Sequence, residues 1–137
     1  FDPVHFGHVR MFQEAKKLGD KLVVILNNDH WLKKKKGFVF MPQEERREII
    51  EAFVCVDKVL LTKHKANPKD MSVCAELARL KPDIFANGGD RWKHNVPESK
   101  LCRKLGIKTG FNIGRGGKVQ SSSDLAKKAA RYLHDRK

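Results

Sequence analysis

The sequence predicts an α/β domain in which a mostly parallel sheet is doubly wound by helices. Three observations point there. Apolar stretches of strand length alternate with amphipathic stretches of helix length along the chain. The segment Lys21–Asn27 (KLVVILN) is apolar almost throughout, as in a strand covered on both faces. Glycine or proline marks the ends of several elements, at Gly19, Pro82 and Gly106. Strands separated by helices pair in parallel through right-handed crossovers. The length of 137 residues suits one domain, so residues 1–137 are read as a single unit.

The first helix is expected over His8–Leu18, with Val9, Phe12 and Ala15 on one face and Gly19 as its stop. The strand Lys21–Asn27 follows, then a polar loop through His30, Trp31, Leu32 and the lysines 33–36. Pro42 opens a helix over Gln43–Val54, whose apolar face is Ile49, Ile50 and Phe53. Asp57–Thr62 reads as a strand and Lys69–Leu80 as a helix, with Val73, Leu77 and Leu80 at helical spacing. Asp83–Asn87 is the next strand and ends in Gly88-Gly89-Asp90. A short helix, Pro97–Leu105, closes at Gly106, and Ile107–Ile113 is the last strand. Beyond the glycine-rich residues 114–117, Ser121–Ser123 lead into a final helix, Asp124–His134. A helix at the very start should have a strand before it. The sequence opens at Phe1 without one, so a trimmed chain lacking a central strand is expected.

Composition narrows the function. The formal charge of +13 favours polyanionic partners, either nucleic acid or nucleotides and phosphorylated small molecules. No run approaches the roughly 18 apolar residues of a membrane span, and the longest, Leu22–Leu26, is strand-sized. Cys55, Cys74 and Cys102 are odd in number and far apart, which fits reduced residues of a cytoplasmic protein.

The densest chemistry lies in Phe1-Asp2-Pro3-Val4-His5-Phe6-Gly7-His8, which runs straight into a helix. His5 and His8 are three apart, so at a helix start they share a face. Unpaired N–H groups and the positive dipole end of that helix suit phosphate oxygens, and Gly7 keeps no side chain in the way. Two imidazoles there can donate hydrogen bonds to charge developing on an α-phosphate.

FDPVHFGH resembles the signature of the HxGH nucleotidyltransferases. From Phe1 to about Tyr132 the chain is similar to their short cytidylyltransferase-like branch, which includes glycerol-3-phosphate cytidylyltransferase and the heptose-phosphate adenylyltransferases. The resemblance rests on four segments in order: the signature itself, lysines 33–36 with Arg46, Gly88-Gly89-Asp90-Arg91, and residues 115–123. It implies a Rossmann-like sheet and catalytic roles for His5, His8, Lys36 and Arg46. It implies nucleotide contacts at Phe1, Asp2, Gly7, Gly88, Asp90, Arg115, Ser121, Ser122 and Ser123, and acceptor contacts at Lys35 and Trp92. Within the lysine run, the choice among Lys33 to Lys36 stays open. In the last segment Arg115 is displaced by about one position and glycine replaces a threonine, so the serines match more closely than the arginine.

The implied reaction moves CMP or AMP from CTP or ATP onto a phosphorylated small molecule and releases pyrophosphate. A phosphate monoester is already an anionic nucleophile near neutral pH, so positioning and charge neutralisation are what remain to be supplied. Mg²⁺ would be carried mainly by the triphosphate, with no protein metal site. The resemblance of the loop Trp31–Lys35 to the glycerol-phosphate enzymes tilts the base towards CTP. It also implies a homodimer, although no segment carries an interface signal. Related carboxylate-adenylating enzymes carry a KMSKS-type loop where this chain has SSSDL. The competing reading is a basic nucleic-acid-binding module without catalysis, disfavoured by the lack of an evident aromatic platform beside the lysines.

Overall fold

The computed structural model describes residues 1–88, residues 97–113 and Arg131. Helix α1 (Phe6–Lys16) is followed by strand β1 (Val23–Leu26), helix α2 (Asp29–Lys36), helix α3 (Gln43–Glu51) and strand β2 (Lys58–Leu61). Helix α4 (Cys74–Leu80), strand β3 (Ile84–Gly88), helix α5 (Pro97–Leu105) and strand β4 (Lys108–Ile113) complete the described elements. Strands β1 and β2 pair in parallel with Val24 opposite Val59 and Leu26 opposite Leu61. Strands β3 and β4 also pair in parallel, with a register irregularity between Ala86 and Gly88. Among the described residues the two pairs are not hydrogen-bonded to each other.

Alternation along β1 explains the layers. Val24 and Leu26 are buried with Phe12, Ile50, Val56 and Val59, so α1 and α3 cover that face. Ile25 points the other way and packs against Leu77, Cys102 and Ile107, the core beneath α4 and α5. Helices on both faces of parallel strands are the α/β architecture expected.

Among the boundaries that differ from expectation, three have a plain local reason. The segment read as a polar loop is helix α2. It has only Trp31 and Leu32 as apolar residues, so periodicity hides it, but both ends are capped. Asn28 accepts the Trp31 N–H at 3.1 Å, and Gly37 closes the helix at φ 86°, where a side chain would be strained. Four lysines in the last turn suit the negative end of the helix dipole. Helix α1 begins at Phe6 rather than His8, because His5 caps it. Helix α4 begins at Cys74 rather than Lys69. Before it, Asp70 accepts the Ser72 N–H at 2.9 Å and the Ser72 hydroxyl at 2.6 Å, a turn that competes with helix.

Helix α1 runs opposite to the strands. At its far end Lys16 reaches Asp57 at 2.5 Å, and Asp57 also accepts the Leu22 N–H at 2.7 Å. That pins the end of α1 at the amino ends of β1 and β2. The start of α1 therefore lies at the carboxyl edge of the strands, where ligands of open α/β sheets bind.

Candidate active site

His5 and His8 are brought together at that edge, and they cap the helix reciprocally. His5 Nδ1 accepts the Gly7 N–H at 3.2 Å, while His8 Nδ1 accepts the His5 N–H at 3.2 Å. The arrangement is a capping box built from two imidazoles in place of Ser and Glu. Both Nδ1 atoms act as acceptors, so in each neutral ring the proton sits on Nε2. The rings stack with centroids 3.8 Å apart and planes inclined by 21°. Phe1 meets His8 edge-on at 4.5 Å, and Phe12 closes the inner side. This enclosure pushes the His8 pKa down to about 2, through burial first, with His5 adding to it. His8 is therefore a neutral ring at physiological pH.

Asp2, expected at the nucleotide, is only 1% exposed and faces the protein. Its carboxylate accepts the Phe40 N–H at 2.7 Å and the Met41 N–H at 2.5 Å, fixing the turn between α2 and α3 beside the histidine motif. Lys36 Nζ donates to the Asp2 carbonyl at 2.6 Å and lies 3.8 Å from its carboxylate. Of the four lysines, then, Lys36 adjoins the motif. Lys34 donates to the Pro68 carbonyl, and Lys33 and Lys35 are exposed. Successive helical residues turn by about 100°, which sends the run around the helix rather than to one point.

Arg46, expected to reach phosphate, is also 1% exposed. Its Nε donates to the Met41 carbonyl at 2.8 Å, Nη1 to the Asn27 carbonyl at 2.8 Å, and Nη2 to Asp29 at 2.7 Å. The guanidinium thus ties α3 to the end of β1, the start of α2 and the turn before α3. Phe1 lies against His8, and Gly7 sits within the first turn of α1. Gly88 ends β3 at its carboxyl edge. Asp90, Trp92, Arg115, Ser121, Ser122 and Ser123 fall outside the described residues.

A buried polar chain at the same edge went unread in the sequence. The Asn28 N–H donates to Thr62 Oγ1 at 3.0 Å, and Thr62 Oγ1 lies 2.9 Å from His64 Nδ1. His64 Nε2 lies 3.0 Å from the Ser72 carbonyl, which can only accept, so Nε2 carries the proton and Nδ1 accepts from the Thr62 hydroxyl. Asn28 Nδ2 donates in turn to the His64 carbonyl at 2.8 Å. The signal available was Asn28-Asp29, a helix-start pair directly after a strand.

This geometry can be set beside known proteins. A model of cytidylyltransferase-like proteins matches residues 1–108. The chain belongs to the cytidylyltransferase-like family. The match holds the first three of the four motif segments and stops short of residues 115–123. FAD synthase from Ferroglobus placidus is 38% identical over 108 residues, covering 79% of this chain and 66% of that protein. The bifunctional protein HldE from Streptomyces coelicolor is 34% identical over 108 residues, 77% of this chain and 22% of that one. The crystal structure of the lipopolysaccharide core biosynthesis protein from Thermoplasma volcanium superposes with a TM-score of 0.65 at 30% identity, covering 81% of this chain and 86% of that one. The chain spans just under two thirds of the Ferroglobus FAD synthase. Membership of the nucleotidyltransferase superfamily, expected from the motif order, is thereby shown, and the cytidylyltransferase-like fold with it. No helix among the described residues is long and apolar enough to cross a membrane.

Proposed function

We propose that the chain is a nucleotidyltransferase domain that moves a nucleoside monophosphate from a triphosphate onto a phosphorylated small molecule. The observation that carries the reading is the pair of stacked imidazoles at the start of α1, each with Nδ1 occupied by a backbone N–H. An oxygen of the acceptor phosphate attacks the α-phosphorus, the bond to the bridging oxygen breaks, and pyrophosphate leaves with the electron pair. The neutral rings present Nε2–H groups to the charge that builds on the α-phosphate oxygens, in an enclosed setting where such donors act strongly. His8 neither gains nor loses a proton in this role. Lys36 adds positive charge beside the motif, while Asp2 and Arg46 hold the frame.

Residue resemblance tilts the base towards CTP, whereas the relatives tilt it towards ATP. FAD is an adenine dinucleotide, so its formation by this chemistry joins AMP to a flavin phosphate. We therefore favour ATP as donor. Among the described residues no three His, Cys, Asp or Glu side chains converge as a metal site. Asp2 and Asp29 are engaged with backbone N–H groups and Arg46. Mg²⁺ would accompany the triphosphate through its phosphate oxygens. The full 1–137 chain acting as one cytoplasmic domain, and as a homodimer, belongs to the same proposal.

The test is pyrophosphate release from ATP and CTP with a panel of phosphate monoesters. Transfer is expected with ATP, and His8→Ala is expected to slow turnover by about 10²-fold or more. Release undiminished in His8→Ala would remove the mechanism. Binding of nucleic acid at physiological salt, with no release from either triphosphate, would favour the non-catalytic alternative.

A further inference from the structure

Helix α2 has little apolar hold on the rest of the protein. It is eight residues long, four of them lysines, and Leu32 is its one buried hydrophobic side chain. Isolated helices shorter than about 12–15 residues are marginal in water. Hydrogen bonds therefore do most to set where α2 lies. Side chains at i, i+3 and i+6 supply them along one stripe. Asn28 Nδ2 donates to the His64 carbonyl at 2.8 Å, the Trp31 indole N–H donates to the Met71 carbonyl at 2.8 Å, and Lys34 Nζ donates to the Pro68 carbonyl. All three carbonyls belong to the segment between β2 and α4.

That segment is itself braced. The His64 ring spans it from Thr62 Oγ1 to the Ser72 carbonyl, and Asp70 holds the Ser72 N–H and hydroxyl. Pro68 is buried, so the receiving carbonyls stand on a fixed support. At the other end of α2, Lys36 Nζ donates to the Asp2 carbonyl beside the histidine motif. From Trp31 to Lys36 the helix rises about 7.5 Å, and five residues at about 100° each put the two side chains on different sides of it. Of the three hooks, Lys34 reaches over a flexible stem and Asn28 already caps the helix. Trp31 joins a half-buried ring to one N–H of fixed direction.

Resting on the function proposed above, we propose that Trp31 is a positioning residue for nucleotidyl transfer: its indole N–H, held by the Met71 carbonyl, fixes the pitch of α2 and with it the place of the Lys36 ammonium. A misplacement of about 1 Å can cost on the order of 10²-fold in rate, so a short helix with one buried apolar anchor needs such a hook. The ring acts through the lysine, not on the reacting atoms.

Trp31→Phe keeps a ring and removes the N–H. In pyrophosphate release by the full chain, kcat is expected to fall by about 10-fold while the Michaelis constant for ATP stays within about 2-fold. In a Lys36→Met background the same change should slow turnover by less than about 2-fold, because its effect passes through the ammonium. A merely structural loss would slow both backgrounds alike. A second readout needs no catalysis: acylation of lysine amines, followed residue by residue by mass spectrometry. Lys36, whose side chain is 15% exposed, should label more slowly than exposed Lys33 in the wild type and approach the Lys33 rate in Trp31→Phe. Lys16, tied to Asp57 at the opposite edge, should not change. Thermal melting checks folding. If Trp31→Phe does not fold, Asn28→Ser, which keeps a capping oxygen and loses the amide donor, takes the same measurements. Equal slowing in both backgrounds, or an unchanged Lys36 labelling rate, would overturn the proposal and leave nucleotidyl transfer standing. A wild-type protein that releases no pyrophosphate with any pair of substrates would sink the transfer reaction, and the labelling would still decide whether Trp31 places Lys36.

Discussion

Replacing Arg46 by Met separates a residue that holds the site from one that touches phosphate. The side chain is 1% exposed and makes three hydrogen bonds of 2.7–2.8 Å. A net hydrogen bond to a charged group contributes about 1.5–3 kcal/mol, and removing one partner of a buried ion pair costs about 3–5 kcal/mol. The three bonds share one guanidinium, so their losses do not add. Asp29, whose side chain is 29% exposed, can turn back to water and recover part of its bond. The carbonyls of Asn27 and Met41 lose their Arg46 donor. The expected cost is about 3–5 kcal/mol, or a fall in Tm of about 10–15 °C for a domain of this size. Circular-dichroism melting reads it directly, with Arg46→Lys intermediate because an ammonium cannot reproduce the planar fork. An Arg46→Met protein within about 1 kcal/mol of wild type, yet about 10²-fold slower in transfer, would show that the guanidinium acts on substrate and that the tie is incidental.

Three further outcomes follow from the same geometry. Asp2→Asn retains shape but sets an amide NH₂ against a backbone N–H, so a loss of about 2–4 kcal/mol in urea unfolding is expected, with faster hydrogen exchange at Phe40 and Met41; unchanged exchange at both would refute the clamp. His8 has its folded pKa lowered to about 2 against an unfolded value of about 6.5, so its contribution is complete above pH 6.5 and is lost as the pH falls below it, by up to about 1.4 kcal/mol per pH unit. A His8 ring resonance that titrates near pH 6.5 by NMR would contradict the enclosure. Thr62→Val removes the acceptor of the Asn28 N–H and the donor to His64, and a loss of about 1–3 kcal/mol is expected in the denaturant midpoint; a neutral result would mean that water takes over the chain.

What the sequence revealed depended on whether a signal was local. Helix α5 matches its expected bounds because Pro97 starts it and Gly106 ends it within the sequence itself. Helix α2 was hidden, since charge covers all sides of a short helix and leaves caps as its sole signature. The histidine pair was legible because three-residue spacing at a helix start fixes a shared face. Their tautomer was not, because it depends on which backbone N–H each ring meets. Asp2 and Arg46 show the limit most plainly. Both are charged side chains beside the histidine motif, and both are turned inward by partners 38 or 39 residues away and up to 19 residues away, respectively. Composition cannot rank a distant backbone carbonyl against a substrate phosphate.

The four residues of β1 act as a party wall between two rooms. Val24 and Leu26 furnish one, Ile25 the other, and the wall ends at Asn27 and Asn28, from which Arg46 and α2 are hung. Neither room can be emptied without shifting the other, so the two halves should melt as one unit. A methyl group trimmed from Ile25, far on the α4–α5 side, would then be felt as a tilt of the imidazoles across the wall.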